Sequence, residues 1–399
     1  MPEVKPEILR WARETAGLSL GRAAAAIGLK DTRKERAVER LAALEEGRAA
    51  PSRALISKMA EKYHRPLLAF YLDAPPAKGD RGEDFRSIPD RQTGSEALVD
   101  ALLRDVRARQ DAIRDLLIDD EDNQPLLFIG SMRVSDGTDA VLASIKSTLK
   151  LDLSSYRRQS SPEKAFALLR SQAEAVGIFV LLLGNLGSHH TAIDVEAFRG
   201  FALADPVAPF VVINDQDRVT AWSFTLLHEL AHLWLGQSGV SGRSPDLRIE
   251  QFCNDVAASF LLPAHELASV GVTRRTPTET AIELIGRFAD ENHVSRTMVA
   301  YRLYRASLLT EDNWRALTGI FLANWRKGRA AQRERDKDKD GPNYYVVRRH
   351  RLGNALIQTV SRALDSGVLT PTRAGNILGV KPRSVAPLLS PISSGNRAA

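Results

Sequence analysis

An apolar helix that carries three ionisable side chains lies in the middle of this 399-residue sequence. His228, Glu229 and His232 interrupt its apolar residues, and burying such groups is unfavourable unless a partner satisfies them. Gly236 and the glycine- and serine-rich stretch 237–244 predict where the helix ends. The fold must therefore bring a partner to the three ionisable side chains. The apolar residues that predict a mostly buried helix are Trp222, Phe224, Leu226, Leu227, Leu230, Ala231, Leu233 and Trp234.

The segment His228-Glu229-Leu230-Ala231-His232 has the spacing of a zinc-binding helix. On a helix, His228 and His232 lie on one face, where both imidazoles can reach one metal ion. Glu229 is rotated by about 100° around the axis, where its carboxylate can act as a general base on an attacking water. Because this short pattern also occurs by chance in unrelated chains, the apolar surroundings are what favour a metal site here.

A hydrolytic zinc site uses three protein ligands and leaves one position open, so a third ligand is needed. Glu250 is the best candidate, because it begins a segment, 249–263, that is predicted to be a helix ending at Pro263. Asn254 lies one turn beyond Glu250 on the same face. The alternative is an ordinary solvated glutamate, which the helix dipole favours in a first turn. The apolar stripe of this predicted helix is Ile249, Phe252, Val256 and Phe260.

Together, His-Glu-Leu-Ala-His, a glycine-rich break and Glu-x-x-Cys-Asn-x-x-Ala-Ala-x-x-Leu-x-Pro resemble the ImmA/IrrE family of metallopeptidases. The resemblance extends over roughly residues 80 to 310 and includes Phe85-Arg86-Ser87-Ile88-Pro89 and Phe198-Arg199-Gly200-Phe201-Ala202. It implies a zincin-like domain in which His228, His232 and Glu250 hold Zn²⁺ and Glu229 is the general base.

The same resemblance implies what the enzyme would act on. It predicts a zinc-dependent endopeptidase and transcriptional regulator that cuts a Cro/CI-type repressor encoded by a nearby gene. The cut would relieve repression in a stress response, in mobile-element control or in a toxin–antitoxin circuit. Two alternatives stay open: a DNA-binding regulator whose zinc site is structural or sensory, and an antitoxin-like binding protein.

The N-terminal region resembles the helix-turn-helix domain of Cro/CI-type (XRE-like) repressors. A first helix ends before Gly17, and Ser19 is the predicted N-cap of an alanine-rich second helix that ends at a turn containing Gly28. A third helix is predicted at about residues 34–46 and two further short helices within 51–72. This order predicts a DNA-binding domain over residues 1–72.

Arg33, Lys34, Arg36 and Arg40 are the predicted DNA contacts, because they lie on or beside the third helix. The connection formed by residues 30–33 is longer than this domain type usually has. A protein-recognition version of the same fold is therefore the alternative to DNA binding.

The distribution of charge and the composition indicate the compartment of the protein and the kinds of partner that it binds. Residues 1–72 carry 14 Lys and Arg against 9 Asp and Glu, and residues 311–399 carry 16 against 7, whereas the middle of the chain has a net charge of −8. Basic ends attract phosphate backbones, although such runs are often only solvated. With no signal peptide and no apolar run of spanning length, we expect a cytoplasmic protein that does not contact membranes. Cys253 is the single cysteine and is predicted to be buried.

The fold class predicted is mostly α with a small β-sheet (α+β). The sheet is expected from apolar runs at 177–183, 198–204 and 210–213. The predicted domains are a helix-turn-helix domain over 1–72, a linker over 73–92, an ImmA/IrrE-like peptidase domain over 93–310 and a basic helical region over 311–399. Residues 370–379 of the last region again resemble the first half of a helix-turn-helix. Its basic residues suit a second nucleic-acid contact, a protein partner or a second copy of the chain in a homodimer.

Overall fold

A computed structural model describes residues 4–33, 35–76, 94–120, 123–188, 191–240, 247–335 and 343–390. These residues are mainly helical with one small sheet, which confirms the predicted fold class. The chain divides into two compact units, Met1–Arg107 with Asn185–Ala197 and Ala108–Gly184 with Phe198–Ala399. The domain boundaries placed at 72, 92 and 310 stay predictions. Most of the predicted linker, including Phe85–Pro89, lies outside the described residues.

The first unit is a small helical bundle. Ser19 caps the second helix as predicted, because its Oγ accepts a hydrogen bond from the Arg22 amide at 3.4 Å. The core of this unit contains Leu9, Ala12, Ala23, Ile27, Leu41, Ile56, Met59 and Phe70. The elements are α1 (Pro6–Glu14), α2 (Leu20–Ala26), α3 (Ala37–Glu45), α4 (Arg53–Lys62), a 3₁₀ helix (Leu67–Tyr71) and the beginning of α5 (Gly94–Ile118).

The second unit contains the sheet, whose strands are β1 (Phe179–Leu182), β2 (Gly200–Leu203), β3 (Phe210–Ile213) and β4 (Gly239–Val240). Their order is β1-β3-β2-β4, with β1 parallel to β3 and β2 antiparallel to both of its neighbours. Every residue of the first three strands is buried, which explains why they appear in the sequence as unbroken apolar runs. All three predicted strands are confirmed.

Helices make up most of the rest of the second unit. In chain order they are α6 (Thr138–Leu149), α7 (Leu153–Arg157), α8 (Pro162–Ala175), α9 (Val219–Trp234), α10 (Leu247–Leu261), α11 (Thr278–Glu291), α12 (Arg296–Arg305), α13 (Glu311–Arg335), α14 (Tyr344–Leu352), α15 (Asn354–Asp365), α16 (Pro371–Leu378) and α17 (Val385–Leu389). Helix α9 is central, because it packs against β2, β3, α6, α8 and α10. Among the described residues, every helix is too short or too polar to cross a bilayer.

The C-terminal end of α9 is held by an unusually close backbone contact. Gly236 ends the helix as predicted, with a φ of +67°, and a Cβ there would lie 3.0 Å from the Cα of Gly130. The amides of Gly130 and Met132 donate to the carbonyls of Leu233 and Trp234, each at 3.0 Å. These bonds satisfy carbonyl groups that a helix end would otherwise leave without partners. They fix the helix on which the ionisable side chains lie.

The C-terminal helices α14 and α15 pack against β1 and α8 of the same unit. A buried ion pair lies in this contact: Nε of Arg170 is 3.2 Å from Oε1 of Glu174, and both side chains are less than one-tenth exposed. Arg170 also donates to the carbonyls of Val180 in β1 and His350 in α14. Glu174 accepts from the Asn354 amide at the start of α15. The pair therefore joins the C-terminal helices to the sheet.

Candidate metal centre

Helix α9 places His228 and His232 on one face, as the four-residue spacing predicts. Their Nε2 atoms are 3.1 Å apart, and the residues are 4% and 7% exposed. Two imidazoles that meet in an apolar core are unfavourable unless a third group binds both of them.

Glu250 approaches the two histidines from the first turn of α10. Its carboxylate oxygens lie 3.6 Å from Nε2 of His228 and 3.5 Å from Nε2 of His232. The side chain of Glu250 is only 13% exposed, so it is not the solvated glutamate that was the alternative. The structure thus brings together the three side chains selected from the sequence.

The three donors suit a metal ion by their chemistry and their spacing. Two imidazole nitrogens and one carboxylate form a ligand set found in catalytic zinc sites, and one position stays open for water or substrate. Ligand atoms about 2.0–2.1 Å from a tetrahedral ion are separated by about 3.4 Å. The Nε2 atoms of His228 and His232 are 3.1 Å apart, and each faces a different oxygen of Glu250, at 3.6 Å (Oε2) and 3.5 Å (Oε1). With one ligand atom taken from each residue, the three atoms lie within 4.8 Å of one another.

Electrostatics in the site favour a positive charge between these residues. Burial and the neighbouring His228 lower the pKa of His232 to about 3, so this imidazole is neutral, as a metal ligand must be. Burial also lowers the pKa of His228, but Glu250, Glu229 and Asn254 together outweigh it, and the net pKa is raised. The carboxylates therefore attract one positive charge, which a bound cation would supply.

Glu229 is fully buried beside the first ligand. It packs against Gly200, the first residue of β2, where a Cβ would lie only 2.7 Å from Oε1 of Glu229. Cys253 is also buried, as predicted, and the pKa of its thiol is raised by burial and by the charges of Glu229 and Glu250. The thiol is therefore neutral, and a metal ligand would have to be the thiolate.

Comparison with known proteins adds to this geometry. Residues 174–304 match the IrrE N-terminal-like domain, Peptidase_M78. The IrrE-like domain thus includes the strands, α9 and α10, and its match supports the predicted resemblance to the ImmA/IrrE family.

One relative supports the same family. A stretch of 108 residues is 37% identical to the radiation response metalloprotease IrrE of Deinococcus deserti. This stretch makes up 25% of the present chain and only 37% of the length of that relative. No solved structure matches the chain.

Two residues near the metal centre of the IrrE-like domain were not selected from the sequence. Gly200 adjoins both Thr225 and Glu229, since a Cβ on Gly200 would lie 2.6 Å from Cγ2 of Thr225 and 2.7 Å from Oε1 of Glu229. A signal for Gly200 was present, because glycine in a buried strand often marks a close approach of another group. Thr225 gave no signal beyond its place one turn before Glu229 on α9.

The predicted DNA contacts lie in the first unit, outside the IrrE-like domain. Arg33 is exposed, and Lys34 is not among the described residues. The guanidinium of Arg36 binds the carboxylate of Glu39 at 2.8 Å, and that of Arg40 donates to the Lys30 carbonyl at 2.9 Å. Both arginines thus have partners within the chain, and their DNA role stays a prediction.

Removing the third ligand should separate a metal site from a chance cluster. Glu250→Ala is expected to weaken Zn²⁺ binding by about 100-fold or more, because about 10–16 kcal/mol of zinc-binding free energy is shared among about four ligands. Affinity is measured by competition with a chelating indicator. Glu283→Ala, an exposed glutamate in α11 of the same domain, is the control and should bind like wild type. Equal affinities for the two variants would contradict Glu250 as a ligand.

Proposed function

We propose that this protein is a zinc-dependent endopeptidase with its reaction centre at His228, His232, Glu250 and Glu229. The observation that carries the proposal is the convergence of two imidazole nitrogens, 3.1 Å apart, and the carboxylate of Glu250, whose oxygens lie 3.5 and 3.6 Å from them, beside a fully buried glutamate. A site that only stabilises a fold usually closes its fourth position and has no need of a general base. The match of residues 174–304 to a peptidase family supports the same activity.

In the proposed mechanism His228, His232 and Glu250 would hold the ion. Zn²⁺ would lower the pKa of water and polarise the scissile carbonyl. Glu229 takes a proton from the attacking water and delivers it to the leaving amine. Its burial keeps bulk water from the carboxylate, which strengthens each electrostatic interaction that it makes.

The proposed substrate is a protein, by resemblance a Cro/CI-type repressor whose cleavage relieves repression. The name of the Deinococcus deserti relative, a radiation response metalloprotease, supports a stress response as the setting. The first unit supports a role in transcription, because the capped α2 is followed by α3 in the helix-turn-helix order. We propose DNA as its partner, with Arg33, Lys34, Arg36 and Arg40 as the contacts; the side chain of Arg36 is 77% exposed although it pairs with Glu39.

The test is a search for new protein N-termini. Purified protein loaded with Zn²⁺ is incubated with a protease-inactivated extract of the source organism, and new α-amino groups are labelled and identified by mass spectrometry. We expect cuts in very few proteins, a repressor among them, that are absent with Glu229→Gln. Zinc near one per chain without any wild-type-specific cut would instead favour a regulator with a structural or sensory metal site.

A further inference from the structure

We propose that Gly200 is a positioning residue for Glu229: its missing side chain leaves the space in which the carboxylate of the base lies. The inference rests on the proposed function and extends it to the strand beneath the metal centre. The atoms nearest to a Cβ at residue 200 belong to Thr225, Glu229 and Val212 and to none of the proposed ligands, so Gly200 would act only through Glu229.

Three atoms surround the position that a Cβ of residue 200 would take. Cγ2 of Thr225 lies at 2.6 Å, Oε1 of Glu229 at 2.7 Å and the carbonyl oxygen of Val212 at 3.0 Å. Side-chain Cβ atoms do not approach other heavy atoms within 3.0 Å. Even the single methyl group of alanine therefore has to displace one or more of these neighbours.

Residue 200 has to be glycine because a side chain has no space there, and not because of its backbone conformation. Gly200 is absent from the residues with positive φ in the described chain, so its backbone suits any L-residue. It pairs with Ile213 of β3, and the next residue, Phe201, pairs with Val240 of β4. Because β2 is paired with a strand on each side, it cannot easily move away from α9.

Of the three neighbours, the carboxylate is the most able to move. The Val212 carbonyl belongs to the sheet, and Thr225 is a β-branched residue with few rotamers whose Oγ1 donates to the Ala221 carbonyl at 3.2 Å. Glu229 reaches Gly200 with the end of a longer side chain. We therefore expect a methyl group at residue 200 to rotate the carboxylate away from its place beside His228.

The first experiment measures this contact without any cleavage assay. Melting temperatures of metal-free full-length protein are compared for wild type, Gly200→Ala, Glu229→Ala and the double variant. Gly200→Ala is expected to lower the melting temperature by about 3 °C or more in the wild-type background, as overpacking does. The loss should be clearly smaller when Glu229 is alanine. Equal losses in both backgrounds would show that Glu229 does not meet the added methyl group and would overturn the proposal.

The matched control lies on the neighbouring strand. A Cβ at Gly239 of β4 would have no atom within 4 Å, so Gly239→Ala adds the same methyl group in open space. It should leave both the melting temperature and the zinc content unchanged.

The second experiment separates positioning from general packing. Thr225→Ser removes Cγ2 but keeps the hydroxyl group, so Gly200→Ala/Thr225→Ser should recover part of the lost stability while the carboxylate stays displaced. We expect this double variant to bind Zn²⁺ like Thr225→Ser alone, to keep KM and to lose kcat by about 10- to 100-fold, measured on a protein cut in the N-terminus search. A kcat equal to that of Thr225→Ser would overturn the proposal.

The two tests fail in different ways. If wild type cuts nothing, the proposed function fails, but the melting-temperature comparison still decides whether Gly200 makes room for Glu229.

Discussion

Glu229→Gln is expected to lower kcat by about 1,000-fold while the protein keeps its zinc. The amide has the shape of the carboxylate but cannot take a proton from water, and general acid–base catalysis contributes about 10²–10⁴-fold. Glu229 is fully buried, so no bulk water can readily replace it as the base. The variant is measured for zinc per chain and for single-turnover cleavage of an identified substrate.

Glu283→Gln on α11 makes the same chemical change at an exposed position and should cut at the wild-type rate. Cleavage by Glu229→Gln at a comparable rate would rule out Glu229 as the base. Loss of both zinc and cleavage would mean that Glu229 helps to hold the ion.

Arg170→Met should be among the most destabilising single changes in the second unit, at about 3–5 kcal/mol. The change leaves the buried Glu174 carboxylate without its cation and removes donors to the carbonyls of Val180 and His350. Burial already lowers the pKa of Arg170 and raises that of Glu174, which shows how little water reaches either group. Urea unfolding followed by tryptophan fluorescence gives the free energy of unfolding.

Arg315 and Glu311 provide a control with the same four-residue spacing on an exposed helix face. Arg315→Met should change stability by less than about 1 kcal/mol, as for other surface pairs. In addition, Arg170→Met/Glu174→Gln should cost less than the sum of the two single changes, because no charge is left buried alone. An Arg170→Met cost as small as that of Arg315→Met would contradict a structural role for the buried pair.

The clustering of His228, His232 and Glu250 was predictable because it follows local spacing. The i, i+4 relation of His228 and His232 decides their common face, and the apolar stripe of α10 indicates a helix with Glu250 in its first turn. The three strands and the end of α9 at Gly236 also follow from short-range patterns. What remained open from the sequence was whether α9 and α10 face each other, and the structure places the three donors together.

Features that depend on distant contacts could not be predicted in the same way. Glycine and threonine have many roles, so only the packing of β2 under α9 shows that Gly200 and Thr225 adjoin Glu229. The partners of Arg170 come from three separate parts of the chain, and an arginine in a helix is ordinarily solvated. Arg36 and Arg40 have hydrogen-bond partners close by in the sequence. Arg36 donates to the Glu39 carboxylate and Arg40 donates to the Lys30 carbonyl, so some of the N–H groups of each guanidinium are already paired.

The covering of β1 by α14 and α15 also determines how the chain tolerates truncation. Strand β1 is the end of the sheet opposite β4, and both of these C-terminal helices contact it. A chain ending before residue 343 would uncover a fully buried apolar strand edge and leave Arg170 without its carbonyl partner in α14. Exposed edges of this kind pair with other molecules. Shortened forms that keep His228, His232, Glu250 and Glu229 should therefore aggregate more readily than the full chain.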